Sequence, residues 1–228
     1  MKITQFHANQ AIRLFKPSPA LPQDNVKSLD FIREFEARYG FYQAPRVLAD
    51  YNLQSGMTFL RGQFKKKLII DKFQLFGNGV LVEAKTSTDD LDEYIDDATN
   101  WAREYLALSA EYFVFGERLY LSQFEAEIDL SLESSFPSLV NIGGKINDFL
   151  KSYGRNVSGF GVSELRLHPG AGSIEPNTGG AAFIFSRKIG QPLDSHLYFC
   201  SAPLRHADHL QVLTDFVSLL QTKKTNAI

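Results

Sequence analysis

The chain has 228 residues, of which 44% are hydrophobic, 22% charged and 13% aromatic, enough apolar material to bury a sizeable core and to exclude a disordered or low-complexity body. Twenty-four Lys and Arg against twenty-six Asp and Glu leave a formal net charge of −2, which gives no general attraction to a phosphate backbone and argues against a nucleic acid partner. One cysteine, Cys200, excludes an intramolecular disulfide and a thiolate zinc site; no apolar run approaches the ~20 residues of a membrane span and the first residues lack a secretory apolar core, so a soluble cytoplasmic protein with no membrane partner is expected.

Residues 1–15 have strand character at Ile3, Phe6, Ile12 and Leu14, and the stretch from Lys16 to Pro22 holds three prolines, a stiff connector rather than an element. From Ser28, Leu29, Ile32 and Phe35 recur at three-residue steps and Gly40 follows Tyr39, which predicts a helix over 28–39. Met57–Phe64, Leu68–Phe76 and Val80–Thr86 predict three strands, the last two joined by Gly77-Asn78-Gly79, and Asn78-Gly79 suits a type I′ turn. A long helix opens at Ser87 or Thr88, with Asp89, Asp90, Asp92 and Glu93 at the positive end of its dipole. Its apolar stripe is Leu91, Tyr94, Ile95, Ala98, Ala102, Tyr105 and Leu106; Trp101 beside it is expected to be largely buried, and the acidic run to point outward.

Residues 111–130 alternate as one or two strands, and Phe136, Leu139, Ile142, Ile146, Phe149 and Tyr153 mark another helix despite Gly143-Gly144 in its middle. Strands follow at about 160–168, 181–187 and 195–202, then a helix over about 205–221 and a loose tail from Lys223. Two α+β halves, 1–130 and 131–228, share the order helix, three strands, helix, a pseudo-repeated α-β-β-β-α pattern; one continuous domain is the alternative. Strands in runs of three predict an α+β fold, antiparallel sheet with helices packed on one face. The strand-like runs 111–115 and 181–185 lack internal charge, so one of them is expected to be central in a sheet or in a subunit interface.

Val80-Leu-Val-Glu83-Ala-Lys85 ends an apolar strand in Glu-x-Lys, with Asp71 on the strand before it and a helix after it. This set resembles the core of the PD-(D/E)xK nucleases over residues 71 to about 106. The resemblance implies that Asp71 and Glu83 hold Mg²⁺ and that Lys85 positions or activates the attacking water. A two-residue turn at Asn78-Gly79 sets Leu75 opposite Val82 and Gln74 opposite Glu83, which divides core from solvent cleanly and keeps Asp71 away from Glu83. A three-residue turn sets Asp71 opposite Lys85 and unites the set at the expense of that division.

His196, His206 and His209, near Cys200 and Asp208, form a weak alternative metal set, against which stands the ordinary reading of two polar residues in a helix's first turn and one strand histidine. The loop from His168 to Gly180 is dense in glycine but lacks the lysine and hydroxyl of a phosphate-binding loop, and a plain connection is the simpler reading of 169–180. Charge is segregated: Arg61, Lys65, Lys66, Lys67 and Lys72 precede a run that includes Asp89, Asp92 and Asp96. With no catalytic set and no cofactor expected, the leading expectation is a non-enzymatic protein-binding or assembly module. It would meet a protein partner or another copy through Lys65, Lys66, Lys67, Asp89, Asp92 and Asp96. The alternative is the metal-dependent nuclease built on Asp71, Glu83 and Lys85.

Overall fold

The computed structural model describes residues 1–16, 22–155, 159–169, 182–192 and 195–225. The body of the proline connector, the glycine-rich loop from 170 to 180 and the last three residues of the tail lie outside the described residues. In chain order the elements are β1 (Lys2–Phe6), β2 (Asn9–Phe15), α1 (Gln23–Val26), α2 (Leu29–Tyr39), β3 (Met57–Phe64), β4 (Leu68–Phe76), β5 (Gly79–Ala84) and α3 (Thr88–Tyr105). There follow β6 (Phe115–Glu127), α4 (Leu132–Ser135), α5 (Pro137–Ser152), β7 (Glu164–Leu167), β8 (Phe183–Arg187), β9 (Leu197–Ala202) and α6 (His206–Thr225). The fold is α+β with antiparallel strands, as composition and spacing predict. Among the described residues, α2 and α3 flank β3, β4 and β5, and α5 and α6 flank β7, β8 and β9.

The chain divides into two units. One comprises Phe6–Ser122 with Pro203–His206, and its strands run β3-β4-β5-β2-β6. Helices α2 and α3 pack on one face of this sheet. Local signals set both helices: the Ser28 hydroxyl accepts from the Phe31 amide at the start of α2, Gly40 closes it at φ 59°, and Ser87 accepts from the Asp90 amide at the start of α3. Between helices and sheet lies an aromatic core centred on Phe35, whose ring lies 5.0 Å from those of Tyr39, Phe59 and Phe73. Trp101 is half-buried at its margin, 5.6 Å from Phe31 and Phe35 and 5.1 Å from Tyr105.

The other unit comprises Met1–Gln5, Gln123–Ala202 and Ala207–Ile228. Its strands run β6-β9-β8-β7, with β1 also paired to β6, which contributes residues to both units. Its core includes Phe124, Ile128, Phe185, Tyr198, Cys200 and Leu213, with the Phe185 and Tyr198 rings stacked at 4.4 Å. Of the two runs without internal charge, Phe183–Phe185 of 181–185 falls in β8, paired on both sides. The other is a turn up to residue 113, where Phe113 takes φ 56°, so 111–130 yields one strand.

The β4–β5 hairpin takes neither register weighed from the sequence. Phe76 pairs with Gly79, Leu75 with Val80, Phe73 with Val82 and Lys72 with Glu83, so Gly77 and Asn78 form the turn. Neither turn residue takes positive φ. Gly79 is a glycine for another reason: a Cβ there would lie 2.4 Å from the Arg13 carbonyl oxygen of β2, the next strand over.

Candidate interaction surface

Strand β2 sets up the principal polar cluster. Asn9, Ala11 and Arg13 face the core, and Ile12 and Leu14 take the other, half-buried side. That buries Arg13, 1% exposed, beneath the first turns of α3, where its Nη2 lies 2.5 Å from Asp92 Oδ1. Its guanidinium also lies 5.7 Å from the ring centre of Phe115 and 5.8 Å from that of Tyr120. Tyr120 donates its hydroxyl to Asp92 at 2.9 Å; burial, and then that bond to the carboxylate, raises the phenol's pKa. Arg205 pairs with Asp89 and brings its Nε to 3.9 Å from Asp92, while the His206 amide donates to the Thr88 hydroxyl at 2.7 Å.

These contacts rearrange the expected charge patches. The acidic run does not point outward as a whole: Asp92 turns inward because a buried arginine requires a counter-ion, and Asp89 is engaged by Arg205. Asp96 is exposed. Lys65 pairs with Glu93 of α3, and Lys66 and Lys67 are exposed beside it. Basic loop and acidic helix thus spend part of their charge on each other. Arg13 and Tyr120 were missed in the sequence; the available signal was a charged residue at an alternate position of an otherwise strand-like run.

The nuclease constellation is not brought together. Glu83 accepts from Gln10 at 2.7 Å and lies 3.9 Å from Lys72, Lys85 is exposed, and Asp71 lies one residue beyond the paired stretch of the hairpin. At Asp71 the burial pattern of β4 shifts phase, from Phe73 and Leu75 to Ile70, opposite the left-handed Arg61 of β3. The histidines are also held apart. His206 stacks edge-on with Phe6 at 5.0 Å, His209 lies 4.7 Å from Phe124 and 6.0 Å from Phe183, and His196 is exposed near Asp129. Among the described residues no three His, Cys, Asp or Glu side chains converge as metal ligands. Cys200 is fully buried, and burial pushes its thiol up to about 12, which leaves no thiolate for nucleophilic work near neutral pH. A cleft lined by Gln43, Pro45, Asp50, Ser55 and Thr58 holds one carboxylate, Asp50, kept low by the Arg46 and Val47 amides at 2.9 and 3.1 Å.

Helix α5 presents the opposite situation. It runs through Gly143-Gly144 without a break, and its one buried residue is Gly143. A Cβ at Gly143 would lie 2.5 Å from the Phe160 carbonyl oxygen, so the glycine admits the chain segment that crosses the helix there. The apolar positions that identify the helix in the sequence are turned to solvent: Leu139 is 47% exposed, Ile142 54%, Ile146 39%, Phe149 64% and Tyr153 71%. Phe160 adjoins them, also exposed. An amphipathic stripe that would ordinarily cover a core is here a surface.

No family model, curated protein or solved structure matches the chain. The reading of function therefore rests on these residues. Among the described residues no helix is long and apolar enough to cross a membrane, so a membrane span does not account for the exposed stripe. What the surface offers chemically is apolar area that contact with another apolar surface would remove from water.

Proposed function

We propose that the chain is a non-enzymatic protein-binding or assembly module that works through its surface, with a protein rather than a nucleic acid as its partner. The observation that carries this reading is the exposed stripe Leu139, Ile142, Ile146 and Phe149 along a four-turn helix, continued by Tyr153 just past its end. The charged patches support it less, because Asp92, Asp89 and Lys65 are occupied within the fold; Lys66, Lys67 and Asp96 remain as exposed charges for a partner. Cytoplasmic residence belongs to the same proposal, in keeping with a lone buried thiol. No feature of the geometry favours the nuclease alternative.

The test uses the full chain as bait in native extract, beside an Ile146→Asp variant whose circular dichroism shows the same fold. Proteins retained by the wild type and lost with the variant are the expected result. Metal-dependent DNA cleavage by the purified chain, lost on Lys85→Ala with the fold intact, would overturn the module reading.

A further inference from the structure

The α5 stripe has a second regularity. Leu139, Ile142, Ile146, Phe149 and Tyr153 are spaced three, four, three and four residues apart, the a/d repeat with which one helix seats against another. Val140 and Leu150 widen the apolar side of the helix, but they are half-buried, and the exposed part follows the a/d positions by which helices pair.

The flanks of the seam differ. On the side next to Ile142 and Phe149 lie Lys145 and Asp148, both exposed, and the hydrogen bonds and ion pairs of the described residues include neither. The other side carries Val140, Gly143, Asn147 and Leu150, with no charge, and meets the segment that holds Phe160 at Gly143. This asymmetry decides between orientations. A parallel partner of the same sequence would set the charged flank against the uncharged one. An antiparallel partner sets charged flank against charged flank, with a two-fold axis between Asn147 and Asp148. Ile146 then faces the second copy's Phe149, and Ile142 its Tyr153, an aliphatic side chain against an aromatic one at each level. Lys145 of each copy comes within a turn of the other's Asp148, which gives two symmetric opposite-charge pairs, while the two Asp148, nearly level with each other, stand on the outer edge of the same flank. One helix is thus complementary to itself in shape and in charge.

Area supports the same partner. At roughly 150–250 Å² per large side chain, the exposures of Ile142, Ile146, Phe149 and Tyr153 amount to about 450 Å² of apolar surface per copy, and pairing two copies removes at most about 900 Å², close to the lower bound for a specific interface. Such a contact suits a reversible dimer.

We infer that α5 is a homodimer seam, on which a second copy of this chain packs its own α5 antiparallel about a two-fold axis near Asn147. The inference rests on the proposed assembly role and names its partner.

Sedimentation of the full chain from about 1 to about 200 μM tests it, since a contact of this size should fall in that range. The wild type is expected to pass from one chain to two across this span, and Ile146→Asp to remain a single chain with unchanged circular dichroism. Lys145→Glu should weaken association about 5-fold, and Lys145→Glu with Asp148→Lys should restore it to within about 2-fold, as expected when two exposed pairs are first reversed and then re-formed. A wild type that stays a single chain throughout overturns the inference, as does association indifferent to Ile146→Asp or a charge reversal that the double variant fails to rescue. If the chain is monomeric yet its wild-type form, unlike Ile146→Asp, retains a protein from extract, self-pairing falls and the binding role stands. If neither occurs, both fall.

Discussion

Arg13 and Asp92 hold each other in place: each charge, once withdrawn from water, is tolerable because of the other. Asp92→Leu strands the buried Arg13 charge beneath α3 and should lower the unfolding free energy by about 3–5 kcal/mol, whereas Arg13→Met should cost less, because Asp92 keeps the Tyr120 hydroxyl and Arg205, and the double substitution should cost much less than the sum of the two. Urea melts of the four proteins measure the coupling; additive losses would show that the pair does not anchor the helix. The sequence concealed this arrangement for a definite reason. In β2 the more apolar alternate set, Ile12 and Leu14, is not the one that meets the core, because Asn9, Ala11 and Arg13 are matched to specific partners there rather than to bulk apolarity.

The elements themselves were largely legible, since capping residues and period-3.6 stripes act locally: Ser28, Gly40 and Ser87 all sit where their chemistry predicts. Registers were less so. The Asn78-Gly79 pair suggested a positive-φ turn, yet Gly79 answers to a neighbouring strand's carbonyl, a long-range demand that no local pattern displays. Residues in left-handed backbone occur instead at Lys65 and Lys66, φ 49° and 57°, where the Lys67 amide closes the β3–β4 turn onto the Phe64 carbonyl. A side chain in that region costs about 1 kcal/mol, partly offset by the extra freedom a glycine has when unfolded. Lys66→Gly, which leaves the Lys65–Glu93 pair intact, should therefore stabilise the chain by about 0.5 kcal/mol in urea; a loss would mean that the Lys66 side chain is itself engaged. For α5, periodicity identified the helix and its apolar side but could not say what covers that side, because amphipathicity records a face and not its partner.

The unit of residues 6–122 is completed from far along the chain, by Pro203–His206, whose Arg205 and His206 close on the start of α3. Periodicity within a segment is blind to such closure. It also makes stability depend on acid. Burial lowers the pKa of His206, with Asp89 and Asp90 opposing that shift. A histidine depressed in the folded state takes up its proton more readily once unfolded, so its contribution is intact above the unfolded value near 6.5 and is lost as pH falls through it. Between about pH 7.5 and about pH 5.5 the urea midpoint of the wild type should fall further than that of His206→Gln. Equal falls would show that His206 does not carry the acid response.

The position of Trp101 has an optical consequence. It is the chain's one tryptophan, and it lies among Phe31, Phe35 and Tyr105 in the unit of residues 6–122. Excited at the red edge of its absorption, the protein emits from that unit alone, and the other, furnished with phenylalanine and tyrosine, stays dark. An emission-detected melt is therefore a measurement on one unit, whereas circular dichroism sums over every peptide bond, and a gap between the two curves shows that the chain comes apart in more than one cooperative step.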